Sequence, residues 1–314
     1  MEHYLAKYAS EHAKYKRIAS FPPQVLMDTC SYCNLNCAMC ARQYKPRKWG
    51  WMDEKLAFKI IDEVADTAPD TRIWFCYFGE PLMAKKRKNG LFERIEYAKR
   101  KGIKRTVINS NANLMDEECA HRLIESGLDE IYIGIDAVNP QTYSKVRKGG
   151  DYNKVVKNIE YLLKQKANTP EVTVQFGVYE ENEGELKEFE SFWKDKGVRI
   201  FIRPKLTWIG YLDNKVNTKE KRWPCSWSFD SINIIETGQV PYCVCDWANR
   251  QPFGDINKES IKDVWQRKIR LYHILQAQEK WDKLPDFCQK CPDWQTKAKK
   301  SDEFLGYFKD DAKF

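Results

Sequence analysis

The chain has 314 residues, 53 basic against 45 acidic side chains, a net charge of +8 and eleven cysteines. No apolar stretch approaches a membrane span and the opening MEHYLAKYASEHAKYKR lacks a signal-peptide core, so the sequence reads as cytoplasmic, where many cysteines point to metal or redox chemistry rather than disulfides. The lysines are scattered without a basic block or recognition motif, which sets nucleic acid aside and leaves room for an anionic substrate or an acidic electron-donor protein.

Residues 2–17 place Tyr, Leu and Ala at helical spacing among charges and predict an outer helix. From Val25 to Ile202, short β-branched or aromatic runs alternate with amphipathic stretches. The runs are VLMDT (25–29), RIWFCYF (72–78), KRTVIN (104–109), EIYIGI (130–135), EVTVQFGV (171–178) and VRIFI (198–202). Helical patterns start near residues 53, 91, 116 and 185. Six strands alternating with helices predict an α/β fold with a parallel sheet, curled by right-handed crossovers into a partial (β/α)6 barrel. Active sites of such sheets form in the loops after the strands' C-terminal ends.

The loop after the first run carries CNLNCAMC, with Cys33, Cys37 and Cys40 in CxxxCxxC spacing. A cubane [4Fe–4S] cluster normally takes four thiolates, so three close cysteines leave one iron open to a small molecule. Cys30 lies just upstream, and a four-cysteine zinc site is the competing reading of this loop.

Beyond Ile202 the alternation stops and tryptophan and cysteine become frequent. SINIIET and QVPYCV flank Gly238 and predict a hairpin, followed by a helix over SIKDVWQRKIRLYHILQAQ. Cys225, Cys243, Cys288 and Cys291 form a second spaced set, in which Cys245 could replace Cys243. A zinc ribbon would also use two separated cysteines plus CxxC. No histidine joins either set; His3, His12, His121 and His273 lie on helical stretches.

Over residues 25 to about 205 the sequence resembles the radical S-adenosylmethionine (SAM) enzymes. That resemblance implies a SAM-binding [4Fe–4S] cluster on Cys33, Cys37 and Cys40, with Met39 over the adenine where an aromatic is frequent. YFGEPLM is similar to the family's GGEP stretch with Phe78 in place of the first glycine, so Gly79 and Glu80 are expected at the methionyl ammonium. NSNANL is similar to a TNG stretch and brings Asn111 to the ribose or methionyl part, unless it only shapes the turn. GIDAVNPQTYSKVRKGG resembles an SxD segment followed by an arginine, with Gly134 where serine is common. It implies Asp136 near the ribose and Arg147 on the SAM carboxylate. The second cysteine set resembles the twitch domain, the shorter relative of the SPASM extension, with one fully ligated auxiliary [4Fe–4S] cluster.

The expected organisation is an N-terminal extension (1–21), the barrel (22–205), a twitch-type domain (206–296) and a tail (297–314). Within the twitch group the arrangement is similar to the 2-deoxy-scyllo-inosamine dehydrogenases of antibiotic biosynthesis. This implies oxidation of a secondary alcohol of a sugar or aminocyclitol, an electron-donor protein such as a flavodoxin or ferredoxin, and Arg203 as the residue that orients or activates the alcohol. Peptide modification or epimerisation is the runner-up, and a zinc-stabilised binding protein without activity a third reading. Trp208, Trp223, Trp227 and Trp247 are candidates for the walls of a substrate pocket, or for shielding of the cluster.

Overall fold

The alternation of runs and amphipathic stretches builds one parallel sheet. The computed structural model describes residues 20–44, 48–212, 222, 225, 227, 230–268, 271–272, 274–277 and 280–298. The expected N-terminal helix over 2–17, Trp223, His273 and the tail beyond residue 298 lie outside these residues.

In chain order the barrel elements are β1 (Gln24–Met27), α1 (Glu54–Thr67), β2 (Arg72–Trp74), α2 (Leu91–Arg100), β3 (Thr106–Ser110), α3 (Glu117–Glu125), β4 (Glu130–Gly134), α4 (Pro140–Val146), α5 (Tyr152–Gln165), β5 (Glu171–Gly177), α6 (Leu186–Asp195) and β6 (Arg199–Arg203). All six strands pair in parallel, in sequence order across the sheet. Helix starts follow local chemistry: Asp53, Asp116, Asn139 and Asp151 each accept a first-turn backbone N–H. α1 then turns Leu56, Ile60, Ile61 and Val64 onto the sheet. Every residue of β4 is buried, as expected for a central parallel strand.

The second run is shorter as a strand than its apolar length suggests. β2 ends at Trp74; Phe75 N–H still donates to Val107 O at 2.8 Å, and Cys76–Phe78 leave the sheet to begin the GEP loop.

The expected hairpin around Gly238 closes but does not extend into a ladder: Gly238, at φ +90°, donates its N–H to Ile235 O at 2.9 Å, and Ile235 N–H donates to Gln239 O at 3.0 Å. Its two arms go to different sheets. β7 (Ile232–Ile234) pairs in parallel with β1, in the register Val25 to Ile232. β8 (Gln239–Val240) pairs antiparallel with β9 (Gly254–Asp255). The reason lies in burial: Ile232, Asn233 and Ile234 are all covered, which an arm of an exposed hairpin would not achieve. The sheet therefore extends past residue 205 to a seventh strand, and Cys243 sits in a turn beyond β8 rather than in a strand.

The helix expected over residues 260–278 is described as α7 (Ile261–Lys268) and α8 (Ile274–Ala277), with a wider π-type turn at Leu271–Tyr272. Two short helices, α9 (Asp286–Gln289) and α10 (Gln295–Ala298), flank Cys291. Among the described residues no helix is long and apolar enough to cross a membrane.

Candidate active site

Cys33, Cys37 and Cys40 occupy the loop after β1, partly exposed and free of disulfides. Backbone contacts hold the loop from two sides: Asn36 N–H donates to Lys148 O at 2.9 Å, Ala38 N–H to Val146 O at 3.0 Å, and Glu80 N–H to Tyr32 O at 2.8 Å. Burial pushes the Cys33 thiol up to about 12 and the Cys40 thiol up to about 11, so a metal that binds them must displace their protons. Cys30 is buried, and its thiol donates to Glu80 O at 3.4 Å.

The GEP loop is held by a residue that the sequence did not single out. Asp28, fully buried at the end of β1, accepts the N–H groups of Tyr77, Phe78 and Gly79 on one carboxylate oxygen at 3.2–3.4 Å. The signal was an acid closing an apolar strand run. Gly79 is obligatory at this point, because a Cβ would stand 1.9 Å from Cys30 O. Glu80 is buried with its carboxylate already engaged: Leu82 N–H (3.1 Å) and the Ser110 hydroxyl (2.8 Å) donate to Oε1, Asn111 N–H (2.8 Å) to Oε2. Burial raises the Glu80 pKa against these donors. Its side chain thus clamps the loops after β2 and β3 together. Asn111 Nδ2 donates to Asn34 Oδ1 at 2.9 Å and lies 3.9 Å from the Cys33 sulfur.

Asp136 follows β4 at φ +61°, a left-handed conformation that aspartate tolerates better than most residues. It is fully buried. Oδ1 accepts Gly177 N–H at 2.6 Å, while Oδ2 faces Arg147 (Nε 2.8 Å, Nη2 2.5 Å) and, at 3.5 Å, Arg203 Nη2. Burial disfavours the Arg147 charge, but Asp136 and Cys37 outweigh it and raise its pKa. Arg147 Nη1 lies 4.0 Å from the Cys37 sulfur. Gly134 makes this possible: a Cβ there would stand 2.1 Å from Arg147 Nη2. The structure therefore gathers Glu80, Asn111, Asp136, Arg147 and Arg203 on the side of the sheet that carries the cysteine loop. Lys205 lies two residues beyond Arg203, half-buried.

Cys225, Cys243, Cys245, Cys288 and Cys291 line a second, separate pocket. Cys245 is buried and hydrogen-bonded to Cys243, so both sulfurs of CVC reach it. Among the described residues no three Cys, His, Asp or Glu side chains are gathered tightly enough for one metal ion. The five thiols ring a wider space.

An aromatic bridge joins the two cysteine regions. Phe78 of the GEP loop stacks on the fully buried Trp247, with centroids 4.9 Å apart and planes at 12°. Trp208 meets Phe78 edge-on at 5.4 Å and donates its Nε1–H to Met39 O at 3.0 Å. Tyr77 donates its hydroxyl to Val244 O at 2.8 Å. Trp208 and Ile209 both have positive φ, a strained pair held by Asp293, which accepts Thr207 N–H at 2.7 Å and Ile209 N–H at 2.9 Å. Asp293 lies two residues after Cys291. Trp227 instead lines the thiol pocket and donates to Thr296 Oγ1 at 3.1 Å. His121 lies on α3 and pairs with Tyr161, away from both cysteine sets.

Residues 27–192, just over half of the chain, match the radical SAM superfamily. The chain belongs to the radical SAM superfamily. Residues 225–292 match the SPASM iron-sulfur cluster-binding domain. This radical SAM protein therefore uses SAM and [4Fe–4S] clusters, and the zinc readings of both cysteine sets give way to iron–sulfur chemistry.

Among curated relatives, it is 28% identical over 181 residues to the tungsten-containing aldehyde ferredoxin oxidoreductase cofactor-modifying protein of Pyrococcus furiosus, covering 56% of this chain and 49% of that one. It is 32% identical over 124 residues to the GTP 3',8-cyclase of Alkaliphilus oremlandii, covering 39% and 37%. The chain thus spans about half or less of the curated relatives' length. Among solved structures, BtrN in complex with AdoMet and 2-DOIA aligns with a TM-score of 0.60 at 18% identity, over 86% of this chain and 92% of that one. Streptococcus suis SuiB bound to precursor peptide SuiA aligns with a TM-score of 0.65 at 15% identity, over 83% and 69%. These likenesses show the shared fold.

Proposed function

We propose that this radical SAM enzyme dehydrogenates a secondary alcohol of a small polar substrate, a sugar or aminocyclitol, to the ketone. The observation that carries the reading is the second pocket. Five thiols line it, one more than a cubane needs, so an auxiliary cluster held there has every iron ligated and serves to accept an electron rather than to bind substrate.

Cys33, Cys37 and Cys40 would hold the first cluster, and Cys225, Cys243, Cys288 and Cys291 the second, with Cys245 as the alternative to Cys243. When bound, the first cluster and SAM would supply radical chemistry able to take a hydrogen atom from the carbinol carbon, and the auxiliary cluster would supply a one-electron acceptor. The protein's own residues bind and orient. Arg147, fixed by Asp136, offers a planar two-pronged donor to the SAM carboxylate. Asp136 would lie by the ribose. Gly79 and the carbonyls of the GEP loop would take the methionyl ammonium, with Glu80 clamping that loop, while Met39 would lie by the adenine and Asn111 by the ribose or methionyl part. Arg203, beside Asp136 and partly exposed at the end of β6, reaches toward the substrate hydroxyl and orients it. A flavodoxin or ferredoxin would supply the priming electron, in keeping with the positive net charge.

The test is anaerobic reconstitution with iron quantification, followed by turnover against a panel of aminocyclitols, sugars and short peptides. About eight irons are expected, falling to about four when Cys33, Cys37 and Cys40 are all replaced by alanine, with loss of SAM cleavage. A Cys225→Ala/Cys288→Ala variant should still form 5'-deoxyadenosine but yield no ketone. Ketone formation undiminished in that variant, or turnover of peptides alone, would overturn the reading.

A further inference from the structure

Three fully buried polar side chains stand at four-residue intervals in the segment that packs against the second cysteine set: Lys268, Tyr272 and Gln276. All three are turned inward. Gln276 Oε1 accepts Cys225 N–H at 2.7 Å. The Tyr272 hydroxyl lies 3.4 Å from the Cys288 sulfur. A ligating cysteine carries no proton, so in the cluster-bound protein the tyrosine is the donor. Lys268 Nζ donates to Ser231 O at 3.0 Å, directly before β7. Burial lowers the Lys268 pKa to about 8, and Cys243, Cys225 and Asp230 each work the other way. Lys268 stands four residues before the tyrosine that touches Cys288, in the segment that packs against the second cysteine set.

A buried lysine is costly unless something anionic repays its desolvation. One backbone carbonyl and the face of Trp265, 5.5 Å from the ammonium, are slight compensation, whereas a thiolate-ligated cluster is anionic. Charge near a cluster and hydrogen bonds to its sulfurs set its reduction potential. We propose that Lys268 and Tyr272 raise the reduction potential of the auxiliary cluster and so fit it to accept an electron, with Gln276 fixing the Cys225 loop beside it. They are positioning residues that act through the cluster. The proposal rests on the iron–sulfur assignment of this domain and is independent of which substrate is oxidised.

The experiment is an EPR-monitored redox titration of the anaerobically reconstituted protein and its Lys268→Met, Lys268→Gln, Lys268→Arg and Tyr272→Phe variants, without substrate. The auxiliary potential should become more negative in the two neutral lysine variants and, by a smaller step, in Tyr272→Phe. The first cluster's potential should stay fixed, and Lys268→Arg should keep most of the wild-type value. Uptake of the auxiliary cluster by Lys268→Arg but by neither neutral variant would also assign the positive charge to it. Unchanged potentials in loaded variants, or loss of the cluster in all three lysine variants, would overturn the proposal and leave these residues a packing role.

Discussion

Gly134 and Arg147 occupy each other's space: the position a Cβ on Gly134 would take lies 2.1 Å from Arg147 Nη2 and 2.8 Å from its guanidinium carbon. The serine common in the family would evict the guanidinium from Asp136. Gly134→Ser should therefore leave a buried acid without its partner, destabilising the fold by about 3 kcal/mol. SAM affinity, read by calorimetry on the reconstituted protein, should fall at least tenfold. Undiminished affinity would remove Arg147 from the SAM site.

Phe78 stands where the family motif has a glycine, and its stacking on Trp247 explains the exchange. Phe78→Ala should cost roughly 3 to 5 kcal/mol. Thermal unfolding measures this directly. A loss below about 1 kcal/mol would mean that the loop closes over the gap and that the aromatic bridge is dispensable.

Asp293 satisfies two backbone N–H groups around the left-handed pair Trp208–Ile209. Asp293→Ala should leave both buried donors unpaired, at roughly 1 to 3 kcal/mol each. Limited proteolysis should then cut within residues 207–212, where the wild type resists.

Asp116 caps α3 and pairs with Lys85 at 2.5 Å, while Lys85 also donates to Leu114 O at 2.7 Å and so ties the GEP loop to the loop after β3. Burial works to raise the Asp116 pKa, but Lys85 and the Cys119 N–H outweigh it and hold the carboxyl below its ordinary range. A lowered folded-state pKa contributes stability above the unfolded carboxylate value and loses it as pH falls. Asparagine keeps the cap without the charge. The gap in urea midpoint between wild type and Asp116→Asn should thus be present at pH 6, begin to narrow near the ordinary carboxylate range and close only below the carboxyl's own lowered pKa. A gap that does not narrow as pH falls would assign the effect to cap geometry.

The strands and helices of the barrel were legible because their signals are local: apolar runs, amphipathic spacing, an acid or asparagine before a helix. The cysteine sets stood out by spacing, while their assignment to iron rather than zinc came from the family resemblance. What escaped the sequence depends on distant partners. Nothing around Gly134 announces the guanidinium thirteen positions on, and nothing in SINIIET names β1 as its partner. Asp28 and Asp293 read as ordinary acids until the loops they hold are in place. Phe78 looked like a departure from a motif because Trp247, its reason, lies in the other cysteine region.

The pairing of β7 with β1 has a geometrical consequence. The loop bearing Cys33, Cys37 and Cys40 springs from one strand, and the stretch leading to Cys243 and Cys245 from the strand beside it. The two proposed redox centres are thus approached from neighbouring strands of one sheet, joined by backbone hydrogen bonds. Sliding β7 by one residue would flip Ile232 and Ile234 to the opposite face, so the pleat admits no intermediate register between these two strands.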